Sequence, residues 1–399
     1  MATDEPEDIA AFRRDARAWI ERELPAPPPF KLPQSFLEVE SRPQLDYLRD
    51  WQRKLFDGGW LGFDVPAEYG GRGRDPARSR VVTQELARAR APFLVNTIGL
   101  SWAGPTILAY GTEQQKKRML GPILSCDEIW CQGFSEPGAG SDLASLRTTA
   151  TRSESGYSIT GHKVWTTLAH FAKWMILLAR TDAAVNKYAG LSFFLFPIDV
   201  PGIDVQPLVK MTGEGGFNQV VFDGATAPHD CLLGAEGQGW EIAMTTLLFE
   251  RGAADGGARD PAAPLRELHA RVTTLAKERA GGRLDPVVGD RLARLFIEID
   301  ALGLATRRAR VDELTNERPL AVPMMSKLVA SEIVQRTADL ACEILGPDVA
   351  LFLGDPRAPD AAAWPLAYMN SFGFTIGGGT SEILRNLIGE RVLSLPKSK

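Results

Sequence analysis

GYSITGHKVWTTLAHFAKWMILLART, residues 156–181, differs in texture from the chain on either side and decides the fold class. Its runs 156–167 and 173–181 are rich in β-branched and aromatic residues and are bounded by glycine or polar residues, which is strand character. LSFFLFPID (191–199), GIDVQPLV (202–209) and QVVFDGA (219–225) repeat the pattern with Gly, Pro and Asp between them. Upstream the period is helical: Ile9, Phe12, Ala16, Trp19 and Ile20 share a face, with Pro25 just beyond. Thr112 and Gln115 have capping-box spacing ahead of Met119, Leu120 and Ile123. Helical spacing returns from residue 237, with Leu292, Leu295, Phe296, Ile299 and Leu302 as one stripe. Met325, Leu328 and Val329 begin another. The order predicts an α+β protein. Its N-terminal helical domain spans 1–125, a middle β-sandwich or barrel domain 126–237, and a C-terminal domain resembling a four-helix bundle 238–399.

The bulk properties narrow the function. With 399 residues and 44% hydrophobic content, the chain can bury a sizeable core. A net charge of −5 with no basic stripe argues against nucleic acid as partner. Cys126, Cys131, Cys231 and Cys342 lack ligand spacing, and the four histidines do not join them, so no metal site is expected. The cysteine usage suits a reducing cytoplasm. The N-terminal MATDEPEDIA is neither signal nor transit peptide, and apolar runs such as WMILLA are too short for a bilayer. The expectation is a cytoplasmic protein without a membrane partner.

Near the C-terminus, GFTIGGGTSEILRN (373–386) sets three glycines before a helix that Thr380 or Ser381 can cap. Glycines there let a ligand approach the backbone and its amide donors.

Four stretches together resemble one family, the flavin-dependent acyl-CoA dehydrogenases, over nearly the whole chain. WCQGFSEPGAGSDLASLRT (130–148) is similar to its T/S-E-P-x-A-G-S-D signature, and GHKVWTTLAHFAKW (161–174) to its K-x-W-x-T segment. PHDCLLGAEGQGW (228–240) resembles the turn before its long C-terminal helices, and GGTSEILRNLIGERVL (378–393) its closing helix. The resemblance implies FAD as cofactor. It places the backbone of Phe134 and the Ser135 hydroxyl at the flavin's pyrimidine side, Trp165 against the ring and Thr167 near N5. Ser141 matches a cofactor or substrate contact, and Gly378, Gly379, Thr380 and Glu382 match the cofactor loop. Taken alone, Trp165 reads as core, Ser135 as a turn residue and Thr380 as a plain cap. Glu136 and Asp142 read as capping and turn carboxylates.

The implied reaction removes a proton from the carbon α to an acyl-CoA thioester and a hydride from the β carbon, giving the trans-2-enoyl-CoA. A positioned carboxylate must take the α proton. Many family members carry that glutamate where this chain has Gly378. Others carry it on the first long helix after the β domain, where TTLLFERG offers Glu250, followed by Arg251 as a substrate-side residue. A helix ending soon after Glu250 disfavours the charged carboxylate there, which suits a base. Two departures bear on assembly. No Arg-x-x-Phe-Gly stretch is evident in 266–292, and Pro347 stands where a second glycine is usual. The resemblance implies sites built across subunits, in a homo-oligomer, dimer or tetramer, or in a heteromer with a second chain of the family, and these losses lean towards the heteromer. Glycine in place of the loop glutamate leaves room for a bulky, branched or steroid acyl group, and the resemblance implies an electron-transfer flavoprotein as electron acceptor. A non-catalytic partner subunit, a flavin oxidase or monooxygenase, and a carrier-protein-thioester dehydrogenase are the alternatives on the same fold.

Overall fold

The computed structural model describes residues 6–250, 260–308 and 321–396, in two compact units that divide at Asp260. Helices α1 (Glu7–Glu23), α2 (Arg42–Asp57), α3 (Pro76–Arg88), α4 (Gly104–Tyr110) and α5 (Glu113–Ser125) open the first unit. Their starts follow local chemistry. Thr112 Oγ1 accepts from the Gln115 amide at 3.2 Å and Gln115 Oε1 accepts from the Thr112 amide at 2.9 Å, completing the capping box. Asp75 caps α3, with Pro76 in the first turn. Between α1 and α3, the Glu85 carboxylate is buried and receives Arg13, Arg17 and Arg88. Burial alone would raise its pKa, but the three guanidiniums outweigh that and hold it at about 2.

The strands are β1 (Trp130–Gly133), β2 (Thr149–Ser153), β3 (Gly156–Thr167), β4 (Trp174–Arg180), β5 (Leu191–Pro197), β6 (Ile203–Leu208), β7 (Phe217–Ala227) and β8 (Leu232–Leu233). They form a mixed sheet of order β6-β7-β3-β2-β4-β5-β8, with β1 pairing parallel to β4. Only Thr149 and Arg180 pair across the β2–β4 junction. On one side of that junction Ile159, Val220 and Phe222 are buried in the same cluster as Met175, Leu177, Phe194 and Phe196 from the other side. The two halves therefore share an interior, as a sandwich does. The alternate residues of β4 and β5, Ile176, Leu178, Phe193 and Leu195, face a second core with α4 and α5. Burial on both faces explains why WMILLAR and LSFFLFP read as continuous apolar runs rather than as alternation.

Helix α6 (Gly239–Glu250) joins this second core through Ile242 and Ala243. The buried Thr246 and Thr106 hydroxyls share a hydrogen bond of 3.0 Å, and Tyr110 bonds Thr245 at 2.9 Å. The helix that carries Glu250 is thereby fixed to α4.

The second unit holds α7 (Ala262–Arg279), α8 (Pro286–Arg308), α9 (Ala321–Leu345), α10 (Ala363–Ile376) and α11 (Ser381–Leu387). Its core joins Leu265 and Val272 with Leu292, Leu295, Ile299 and Leu302, Ile333 and Leu340, and Trp364. Phe296 departs from the sequence-based stripe: it is 52% exposed and tilts against His269 instead of entering the core. Among the described residues no helix is long and apolar enough to cross a membrane.

Candidate active site

Of the residues singled out in the first unit, Phe134, Ser135, Trp165 and Thr167 come together where the end of β1 meets β3. Phe134 follows β1 directly and is buried, its ring edge-on to Phe193. Ser135 is half-buried and Ser141 exposed in the loop leading to β2. The Val164 amide of β3 donates to the Ser135 carbonyl at 2.9 Å, which ties the signature loop to the segment carrying Trp165 and Thr167.

Trp165 owes its position to an irregularity in β3. Lys163 pairs with Val220 and Thr166 with Asn218, so Val164 and Trp165 together oppose a single residue of β7. Trp165 takes a left-handed backbone, φ +60°, and Leu168 does the same at +61°. For a side chain with a Cβ this conformation costs on the order of 1–2 kcal/mol per residue. The bulge turns the indole outward: Trp165 is 59% exposed, edge-on to Phe217. It is not a core residue. Thr167 lies two residues on, nearly buried, opposite Phe217.

Sequence reasoning missed the groups that brace this bulge. Asn218 Nδ2 donates to the Thr166 carbonyl at 3.0 Å and lies 2.9 Å from His170 Nδ1. The Thr166 carbonyl fixes the amide's orientation, so Nδ1 accepts and the imidazole proton sits on Nε2. On the other side, the fully buried Lys163 donates to the Phe134 carbonyl at 2.9 Å and to Glu136 at 3.0 Å. Glu136 also accepts the Arg147 and Thr148 amides at 2.7 and 2.8 Å. Burial pushes Lys163 down to about 8 despite its carboxylate partner. For Glu136 burial acts upward, but Lys163 and the two amides prevail and hold it below the usual range. Asp142, read as a turn carboxylate, accepts from Ser145 and pairs with Lys187 at 2.8 Å.

A cleft of about 420 Å³ opens beside the signature loop, lined by Glu136, Gly138, Arg147, Thr148, Gly161 and His162. Glu250 is half-buried at the end of α6, and Arg251 lies outside the described residues. In the second unit Gly378 and Gly379 are left-handed, φ +66° and +96°. That is why glycine stands at both positions. Thr380 caps α11 by accepting from the Ile383 amide at 3.2 Å. Thr380 and Glu382 line a cleft of about 390 Å³ with Ser381, Glu332, Gln335 and Arg336. Lys327 donates to the Gly379 carbonyl at 2.6 Å.

Models of three acyl-CoA dehydrogenase domains match the chain in order: the N-terminal domain over residues 6–127, the middle domain over 131–225 and the C-terminal domain over 237–393. The chain belongs to the acyl-CoA dehydrogenase family. Acyl-CoA dehydrogenase IpdE1 of Mycobacterium tuberculosis is 37% identical over 404 residues, covering 98% of this chain and 99% of that protein. A solved structure described as the Tcur3481-Tcur3483 steroid ACAD superposes with a TM-score of 0.82 at 29% identity, covering all of both chains. The ChsE4-ChsE5 complex from Mycobacterium tuberculosis superposes at 0.77 with 28% identity, covering all of both chains. As an acyl-CoA dehydrogenase family oxidoreductase, the chain combines N- and C-terminal helical domains with a mixed sheet. The sheet and its bulge bring Phe134, Ser135, Trp165 and Thr167 onto one tied segment pair.

Proposed function

We propose that this chain binds FAD and dehydrogenates an acyl-CoA between its α and β carbons, with Glu250 as the base. The observation that carries the reading is the outward-turned Trp165, held left-handed in a bulge that is tied to the Phe134–Ser135 segment. Strain of this kind in a non-glycine residue persists where the surroundings enforce it, commonly at functional sites. The residues fit a flavin ring: Trp165 would supply an aromatic wall, and the Thr167 hydroxyl and the Ser135 amide and hydroxyl would supply hydrogen-bond donors to it. When bound, FAD accepts the hydride from the β carbon. Glu250 takes the α proton, a role left to it by the glycine at 378. Ser141 and Arg251 serve the substrate or cofactor side. Gly378, Gly379, Thr380 and Glu382 form the cofactor loop.

The acyl group we propose is bulky, with a steroid side chain as the leading case. This rests on the relative described as a steroid ACAD and on the space that glycine leaves at position 378. We further propose oligomerisation, with a second family chain as partner. The ChsE4-ChsE5 complex and the missing Arg-x-x-Phe-Gly stretch support it. Electrons then pass to an electron-transfer flavoprotein. The four unbridged cysteines support a cytoplasmic setting.

The test is anaerobic mixing of the purified, FAD-loaded protein with short-chain, long-chain and steroid acyl-CoAs while the flavin absorbance is followed. Bleaching by a steroid acyl-CoA is expected. Glu250→Gln slows it by about a thousandfold, since a positioned base contributes ~10²–10⁴ in rate. A protein that takes up no FAD, alone or with a second family chain, would sink the proposal.

A further inference from the structure

We infer that Lys163 is a positioning residue: it aims the Ser135 amide by anchoring the Phe134 carbonyl, with Glu136 as its fixed point. The inference deepens the FAD reading above and rests on it.

A lysine that is 0% exposed in the interior of a sheet needs a reason. Stability does not supply one, because a buried ion pair seldom outperforms well-packed neutral side chains of the same volume. The geometry supplies another. Glu136 is immobilised by the amides of Arg147 and Thr148, so its carboxylate is a fixed point. The Lys163 ammonium spans from that point to the Phe134 carbonyl, at 3.0 and 2.9 Å. A trans peptide is planar, with its carbonyl and the following N–H pointing in opposite directions. Holding the Phe134 carbonyl inward therefore turns the Ser135 N–H the other way, out of the buried interior. The next peptide is held from the same strand, by the Val164 amide on the Ser135 carbonyl. Both peptide planes flanking Ser135 are thus set by two consecutive residues of β3, immediately before Trp165. One strand positions both the polar edge and the aromatic wall proposed for the flavin. Glu136 further keeps Lys163 charged near neutral pH, where an ammonium donates more strongly than a neutral amine.

The variant Glu136→Gln/Lys163→Met tests this, since it removes both charges and leaves no ion buried without a partner. Three quantities are measured against wild type: the melting temperature of the FAD-free protein, FAD affinity by flavin fluorescence, and the flavin midpoint potential. We expect a melting temperature close to wild type, FAD binding weakened about tenfold as the Ser135 amide loses its aim and one neutral hydrogen bond is lost, and a displaced midpoint potential. Wild-type affinity together with wild-type potential would overturn the inference. Should the double variant fail to fold, Glu136→Gln alone decides it, because Lys163 then loses its fixed point: a displaced potential supports the inference and an unmoved one refutes it. If the wild-type protein itself takes up no FAD, it is the functional reading that fails.

Discussion

Replacing Trp165 with asparagine separates the fold's needs from those of the cofactor. Asparagine tolerates a left-handed backbone better than tryptophan, so the change recovers ~1 kcal/mol of strain. Against that, Trp165 is 59% exposed, and the covered two-fifths of an indole is about 100 Å². At ~25 cal/mol per Å², losing that contact costs ~2.5 kcal/mol. The FAD-free protein should therefore lose only ~1.5 kcal/mol, a fall of ~3–6 °C in melting temperature at ~2–4 °C per kcal/mol. Cofactor binding should suffer more. A flavin laid on one face of the exposed indole covers ~75 Å², worth ~2 kcal/mol, or about thirtyfold in Kd. Thermal melts of the FAD-free protein and a fluorescence titration with FAD read the two quantities separately. An unchanged FAD affinity alongside the expected fall in melting temperature would refute the claim that the bulge exists to present this ring. A large rise in melting temperature would show that the strain outweighs the packing.

Other expectations are simpler to state. Because Glu85 is held at about 2, below its ordinary 4.5, its contribution to stability is complete above pH 4.5 and disappears as pH falls towards 2. Glu85→Gln should cost ~2–3 kcal/mol at pH 7 by leaving three arginines around a neutral group. It should also flatten the acid side of the melting-temperature profile; an equally steep profile in the variant would contradict this. Thr380→Ala removes the cap on α11 and should cost ~1 kcal/mol, read by chemical denaturation. Gly378→Ala forces a Cβ into a left-handed position and should cost a further ~1 kcal/mol in the same assay.

Much of the fold was legible because local chemistry and tertiary structure agree. Thr112 and Gln115 announce the start of α5 from four residues of sequence, and the strand texture of 156–181 survives as β3 and β4. The bulge was not legible. No glycine marks it, and whether Trp165 faces inward or outward depends on how β3 registers against β7, fifty residues away in sequence. Lys163 carried a faint signal, a charge in the apolar alternation that begins at Tyr157 and Ile159, yet its partners are set by the sheet and not by the motif. Phe296 fell into the wrong class because a helical stripe is wider than the face that a neighbour actually covers.

The braces around Trp165 also bear on the order of folding. Asn218 reaches Thr166 across 52 residues of sequence, and Lys163 reaches Phe134 across 29. Loops of that length close late, after local helices have formed. Residues 130–167 alone therefore cannot hold the indole outward. That geometry exists only once β7 has docked and delivered Asn218. A nascent chain should gain cofactor competence in one step, with the arrival of β7, rather than gradually as the signature motifs emerge.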